Sequence, residues 1–444
     1  MAAEGLPAAP ADARQRLLRT VADVHDTPSV GVVTRLIGLT VEGRGPLCTV
    51  GDLCRVFPMD GGPPIPAEVV GFQDDAILMM PLGDGTGIGP GSRIETAGRP
   101  VDVAVGPELL GRVLDGLGRP IDGGPPIVGE RVPLENRPPG PLQRRRITEP
   151  LSLGVRAIDA LLTCGKGQRL GIFAGSGVGK SKLLAMMARY TEADVTCIGL
   201  VGERGREVRE FIERDLGEEG LRRSVVVVAT GDQPPLVRLK AALLVTAIAE
   251  HFRDQGKDVL LLMDSVTRVA MAQREVGLAI GEPPTTRGYT PSVFALLSRL
   301  LERSGPGPRG TITGLYTVLV EGDDLSEPVS DAVRGILDGH IVLSRRLAER
   351  SQYPAVDILA SVSRLMPDLA GREQQEAAAR VRDILATYAD AEDLVNIGAY
   401  VPGSNPRIDQ ALERIDDVWA FLRQPIDERA PMDETVRRLT ELFA

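Results

Sequence analysis

The chain has 444 residues and 43% hydrophobic content, enough for two or three domains with ordinary cores. A formal net charge of −10 and a pI near 5.1 argue against a broad nucleic-acid-binding surface. Four cysteines without CxxC spacing and three scattered histidines indicate neither a zinc site nor a disulfide framework, so a general base would be a carboxylate.

The start, Met1 to Pro10, is Ala/Pro-rich, with neither the basic n-region nor the apolar h-region of a secretory signal. No apolar run approaches the ~18 residues of a membrane span. The expectation is a soluble, cytoplasmic protein whose membrane association comes through partners. Residues 11–24 read as a short amphipathic helix, with Leu17, Leu18, Val21 and Val24 on one face and Arg14, Arg16 and Arg19 available to the other. Such a segment serves either to dock a partner or to pack on its own domain.

From Gly31 to Ile94, short apolar runs are punctuated by Gly and Pro: Gly31–Ile37, Leu53–Phe57, Ala67–Gly71 and Ala76–Met80. That spacing predicts a small β-barrel. A Gly/Pro/Asp-rich stretch, Gly106 to Pro141, follows, and then a basic run, Arg144-Arg145-Arg146, that reads as a solvated linker ahead of a nucleotide or partner contact.

Beyond Thr148, strand-like and helix-like segments alternate. The strands are expected at Arg169–Ala174, Val195–Val201, Ser224–Thr230, Val259–Asp264 and Thr311–Val320. Helices are expected at Lys180–Tyr190, Arg206–Leu216, Leu236–Arg253 and Val266–Gly277. Strands apolar throughout and separated by helices predict an α/β fold with a mostly parallel sheet covered on both faces. After Ala370 only helices follow, at Arg372–Tyr388, Ile408–Arg423 and Asp433–Phe443. The expected division is a docking segment at 1–24, a barrel at 25–97, an α/β core at 98–368 and a helical domain at 369–444.

The strongest motif lies between a strand and a helix of that core. Residues Ala174-Gly175-Ser176-Gly177-Val178-Gly179-Lys180-Ser181 form a Walker A loop, with Ala174 where the strict pattern has Gly. Small residues let successive N–H groups turn toward a phosphate, and the following helix directs its positive end at the same anion. Lys180 adds a point charge, and the Ser181 hydroxyl suits Mg²⁺. This predicts a nucleoside triphosphate as ligand.

A second apolar strand delivers Asp264 to the same sheet edge, suited to share Mg²⁺ with Ser181. A third ends in Gly202-Glu203-Arg204-Gly205-Arg206-Glu207. Glu203 is placed to polarise an attacking water, and Arg204 to orient that carboxylate or contact the γ-phosphate. Tyr353 before Pro354 offers a ring for stacking on a base, and Arg364 supplies a cation after an extended segment. By themselves these two read equally as a packed turn residue and a surface arginine.

The chain resembles the secretion and rotary ATPase superfamily from about Val30 to the C-terminus, most closely the export ATPases of type III secretion, injectisome and flagellar. The resemblance rests on Leu153–Asp159, Gly175–Ser181, Gly202–Arg209, Met263–Arg268, Gly281–Pro284 and Leu337–Arg345. It implies a RecA-like P-loop ATPase core with an N-terminal β-barrel domain and a C-terminal helical domain, assembled as a homohexamer. It implies ATP and Mg²⁺ as cofactors, Glu203 as the catalytic glutamate, Lys180 and Ser181 as phosphate and metal residues, and Tyr353 as the adenine-stacking ring, with Phe421 completing that pocket. Arg364 corresponds to an arginine finger acting on ATP held by the neighbouring subunit. The implied partners are a stator-like regulator at the N-terminal segment, a central stalk protein, an export-gate membrane protein, and secretion chaperones with their substrates. No specific nucleic acid is among them. The implied location is cytoplasmic, peripheral at the inner membrane through the secretion apparatus.

Two other readings share parts of this pattern. A rotary ATP synthase catalytic subunit has most of the motifs, but Ala389–Asp393 lacks its longer acidic lever segment. A Rho-like RNA helicase also joins a barrel to this core, yet residues 30–95 contain only Phe57 and Phe72 as aromatics and several acids. Within the export family, Arg209–Leu221 and Leu162–Gly165 lean toward the injectisome type.

Overall fold

Six short strands close into an antiparallel barrel: β1 (Val30–Ile37), β2 (Thr40–Arg44), β3 (Asp52–Val56), β4 (Ile65–Gln73), β5 (Ala76–Pro81) and β6 (Arg93–Pro100). Their order is β1-β2-β5-β4-β3-β6. Alternation builds it: Cys54 and Val56 of β3 point inward while Arg55 stays exposed. Val33, Val41, Ala67, Val69, Met79 and Ile94 complete the interior. The computed structural model describes residues 29–320 and 324–443, so the amphipathic segment at 11–24 lies outside the described residues.

A second compact unit begins at Asp102. Strands β7 (Asp102–Val105) and β9 (Glu130–Pro133) pair with each other, and β8 (Val113–Asp115) joins the edge of a nine-stranded sheet. The remaining strands are β10 (Arg169–Ala174), β11 (Val195–Val201), β12 (Ser224–Ala229), β13 (Asp258–Asp264), β14 (Gly305–Pro306), β15 (Thr311–Leu319), β16 (Gly339–Leu343) and β17 (Val356–Ser363). The sheet runs β17-β16-β10-β15-β13-β11-β12-β8, with β14 beside β15. From β8 to β16 neighbours are parallel, and β17 returns antiparallel to β16.

The central strands follow the sequence expectation because each is buried along its whole length. The Gly/Pro-rich stretch before them contributes a strand to the sheet. Gly111 N–H donates to Ser224 O and Val226 N–H to Arg112 O, which fastens β8 onto β12. The basic run is also not simply solvated: Arg144 donates to Ser304 O, and Arg145 to Gly307 O and Arg309 O. The helix expected at Arg206–Leu216 is interrupted. An α-helix at Gly205–Glu210 passes into a π-helical turn at Phe211–Leu216 before a third piece, Gly217–Arg222.

Three C-terminal helices, Arg372–Asn396, Pro406–Leu422 and Met432–Glu441, bury Val381, Ile384, Ile415 and Val418 in the same apolar core as Ile158, Leu161 and Leu184. Among the described residues no helix is long and apolar enough to cross a membrane.

Candidate active site

Strand β10 ends at Ala174, which is 1% exposed between β15 and β16 and accepts the Val320 N–H at 3.0 Å. A small side chain suits that position. The loop then turns through Gly177 (φ 80°) and Gly179 (φ 94°), left-handed conformations that glycine adopts without strain. Helix Lys180–Tyr190 starts directly afterwards, and its first N–H groups have no intrahelical partners.

The carboxyl edge of the sheet brings two carboxylates to this loop. Asp264 closes β13, is almost fully buried, and accepts the Thr317 hydroxyl at 2.7 Å. Glu203 follows β11, its carbonyl fixed by the Gly231 N–H at 3.1 Å. Lys180 Nζ joins them: it donates to Asp264 and stands 3.3 Å from Glu203 Oε1. Burial raises the Glu203 pKa; Lys180 opposes that shift and Asp264 adds to it. Burial disfavours the Lys180 charge, but Asp264 and Glu203 outweigh it and raise the Lys180 pKa.

Ser181 is exposed at the first turn of the helix. Tyr353 lies over Gly179, where a Cβ on the glycine would meet the ring at 3.4 Å. Between them opens a cavity of about 350 Å³ with apolar walls from Leu183, Met186, Pro354 and Ile426. Gly179 and Tyr353 line that cavity together, and Lys180, next in the chain, holds the two carboxylates beside it.

Three expected residues are placed differently. Phe421 is 3% exposed, packed in the core near Arg156, whose guanidinium carbon is 5.9 Å from the ring centroid. Gln424 and Ile426, beyond the end of the helix Pro406–Leu422, hold the cavity wall instead. Arg204 does not reach Glu203. As the N-cap of Gly205–Glu210 it points to solvent, 86% exposed, and pairs with Glu207 at 3.4 Å. Arg364 lies at the opposite, amino edge of the sheet, since Ser363 pairs with Gly339 and Asp338 with the start of β10. The six residues of β10 separate it from the phosphate loop by about 20 Å.

Sequence reasoning passed over Arg268. It lies in the first turn of the helix Val266–Ala279 and packs on Gly202, where a Cβ would approach its side chain to 2.7 Å. Its Nε is buried and unpaired among the described residues. The available signal was a cation at the third position of the helix that follows Asp264, which keeps it near the strand ends.

Residues 154–363 match the model of the ATP synthase alpha/beta family, nucleotide-binding domain, and residues 370–441 match the T3SS EscN ATPase C-terminal domain. A flagellum-specific ATP synthase of Bacillus subtilis (strain 168) is 56% identical over 93% of this chain and 94% of its own. A type 3 secretion system ATPase of Xanthomonas euvesicatoria is 51% identical over 93% of each chain. The chain belongs to the type III secretion and flagellum-specific ATPase family. The assembled ATPase EscN from the enteropathogenic E. coli type III secretion system superposes with a TM-score of 0.89 at 44% identity, over 93% of this chain and all of that one. EscN in complex with its central stalk EscO superposes at 0.86, with the same identity and coverage.

This export ATPase thus carries the family's nucleotide-binding domain on the α/β sheet and its C-terminal domain on the three terminal helices. The phosphate loop, Glu203, Asp264, Tyr353 and Arg364 all fall on or beside elements of the matched nucleotide-binding segment.

Proposed function

We propose that this export ATPase works as a homohexameric ring whose sites lie between subunits, energising type III protein export. The observation that carries it is Lys180, set between Glu203 and Asp264 beside the Tyr353 cavity. ATP stacks its base on Tyr353 and lays its phosphates along 174–181. Lys180 leaves its carboxylates for the β- and γ-phosphates, and Glu203 accepts a hydrogen bond from the water aimed at the γ-phosphorus. The partner subunit's Arg364 meets the charge that develops there.

The oxygen donors at this site fit Mg²⁺. Asp264 is a carboxylate already turned inward by Thr317, and Ser181 presents its hydroxyl on the adjoining helix turn. Bound there with ATP, the ion would neutralise phosphate charge.

The same reading divides the chain into barrel, ATPase domain to 368 and helical domain at 369–444, with the barrel carried past the expected 97 to the end of β6 at Pro100. The segment 1–24 docks a stator-like regulator, and the ring receives a central stalk as EscN does in its EscO complex. Chaperones, their cargo and an export-gate membrane protein complete the cytoplasmic assembly at the inner membrane. Affinity purification from the native cell tests this: a regulator and a gate protein should be recovered, with turnover unchanged by RNA. Recovery of synthase stalk subunits, or strong RNA stimulation, overturns it. A flagellar setting is the second reading, favoured by 56% identity to the flagellum-specific relative against 51% to the secretion relative.

A further inference from the structure

At the amino edge of the sheet, Asp338 joins the start of β10 to the residue that follows β17. Its Oδ2 accepts the Arg169 main-chain N–H at 3.0 Å and Arg169 Nε at 3.2 Å, and its Oδ1 accepts Nη2 at 3.3 Å. The Asp338 N–H in turn donates to Arg169 O at 2.8 Å. The Asp338 carbonyl accepts the Arg364 N–H at 3.1 Å. Gln168, fully buried, reaches the same carbonyl at 3.3 Å and the Ser363 hydroxyl at 3.0 Å. That hydroxyl donates onward to Thr163 O at 2.8 Å.

The neighbouring Gly339 permits this closeness, because a Cβ there would meet Val362 O at 2.4 Å. Glu302 is the further partner of Arg169, at 2.5 Å. Burial works against the Arg169 charge, and Asp338 with Glu302 more than restores it. The main chain leading into Arg364 is therefore anchored, through Asp338 and Gln168, to the start of β10, while Arg364 itself is exposed.

We propose that Asp338 is a positioning residue for hydrolysis in the neighbouring subunit, holding the backbone of Arg364 at the height from which its side chain crosses to the partner's ATP. The proposal rests on Arg364 acting in trans. A displacement of about 1 Å in such a group costs roughly 10²-fold in rate. Asp338→Ala should therefore lower kcat by about 10- to 100-fold with little change in KM, and Asp338→Asn, which keeps one acceptor for the Arg169 N–H, by less.

Mixed rings test the direction of the effect. Each Asp338→Ala subunit keeps its own Glu203, and each Glu203→Gln subunit keeps its own Asp338 and Arg364. In rings formed from equal amounts, about a quarter of interfaces pair an intact site with an intact finger, so turnover should rise to about a quarter of wild type, above that of either variant alone. A parallel mixture of Arg364→Ala with Glu203→Gln tests the underlying reading. Recovery there but none with Asp338→Ala overturns the positioning role, as does an unchanged kcat for Asp338→Ala alone. No recovery in either mixture overturns the trans reading itself. If Asp338→Ala does not fold, Asp338→Asn takes its place in both measurements.

Discussion

Lys180 Nζ lies 3.3 Å from Glu203 Oε1 while donating to Asp264, so one ammonium is shared by two carboxylates at the ends of neighbouring strands. The arrangement stores the charges that ATP hydrolysis uses, in a site too buried for water to screen them well. In the proposed mechanism phosphate oxygens would take the place of the carboxylates at Lys180, and Mg²⁺ would take the place of Lys180 at Asp264.

Glu203 polarises water only when ionised, and burial with Asp264 nearby raises its pKa against the pull of Lys180. The acid limb of kcat/KM, which reports the free enzyme, should fall above the ordinary carboxylate value of about 4.3. Activity is then present above that limb and declines as pH drops through it. Glu203→Gln should bind Mg-ATP normally and lose about 10²–10⁴-fold in turnover. Steady-state rates across pH, paired with equilibrium nucleotide binding, check both. Turnover near the wild-type level in Glu203→Gln removes it as the base.

Arg364 is a strand length from its own phosphate loop. Arg364→Ala should leave nucleotide affinity and ring assembly intact and reduce turnover by about 10³–10⁵-fold. Sedimentation in the presence of ATP analogue, with kcat on the same sample, separates assembly from chemistry. A large loss of ATP affinity in the isolated subunit would contradict action in trans.

The central sheet was legible because strands buried on both faces read as unbroken apolar runs, as in Val259–Met263. Strand β8 was not, since three residues among Gly and Pro carry no period of two; its place comes from β12. Strand β17 is half exposed at the sheet edge and read only as extended. At the site, Lys180, Glu203 and Asp264 followed from strand ends and spacing, whereas Tyr353 and Arg364 needed the family to single them out. Of the two roles expected of Arg204, orienting Glu203 does not follow, because successive residues diverge where strand turns into helix; contact with the γ-phosphate stays a proposal. Phe421 misled for a different reason: an aromatic at a helix end looks the same whether it faces a cavity or the core. The helix 406–422 rotates it inward beneath Arg156, leaving the wall to Gln424 and Ile426.

Tyr353→Ala removes the ring above Gly179 and should weaken ATP binding by about 1–3 kcal/mol, the usual worth of stacking a base on an aromatic side chain. Tyr353→Phe keeps the ring and should bind within about twofold of wild type. Phe421→Leu, a change inside the core, should reduce thermal stability more than nucleotide affinity, because the side chain is away from the cavity. Binding titrations with melting curves on the three variants distinguish cavity wall from core.

Gln424 links the adenine-side loop to the C-terminal helices through bonds that all go to main chain. Its Oε1 accepts the Arg156 N–H at 2.7 Å, and its Nε2 donates to Gly154 O at 2.9 Å and Glu428 O at 2.8 Å. Its own N–H donates to Tyr353 O at 3.0 Å. Nearby, buried Arg156 donates to the carbonyls of Phe421 and Arg423, at 3.0 and 2.8 Å, closing the end of the helix 406–422. Gln424→Ala deletes the amide and leaves a buried N–H and buried carbonyls without partners, a loss of about 2–4 kcal/mol in unfolding free energy by urea titration. The Tyr353 loop also loses its fixed neighbour, so KM for ATP should rise alongside the drop in stability. Arg156→Lys keeps the charge but reaches fewer carbonyls than the guanidinium fork, and should lower stability while leaving KM closer to wild type. If Gln424→Ala lost stability without any change in KM, the C-terminal helices would be fastened to the core independently of the nucleotide loop.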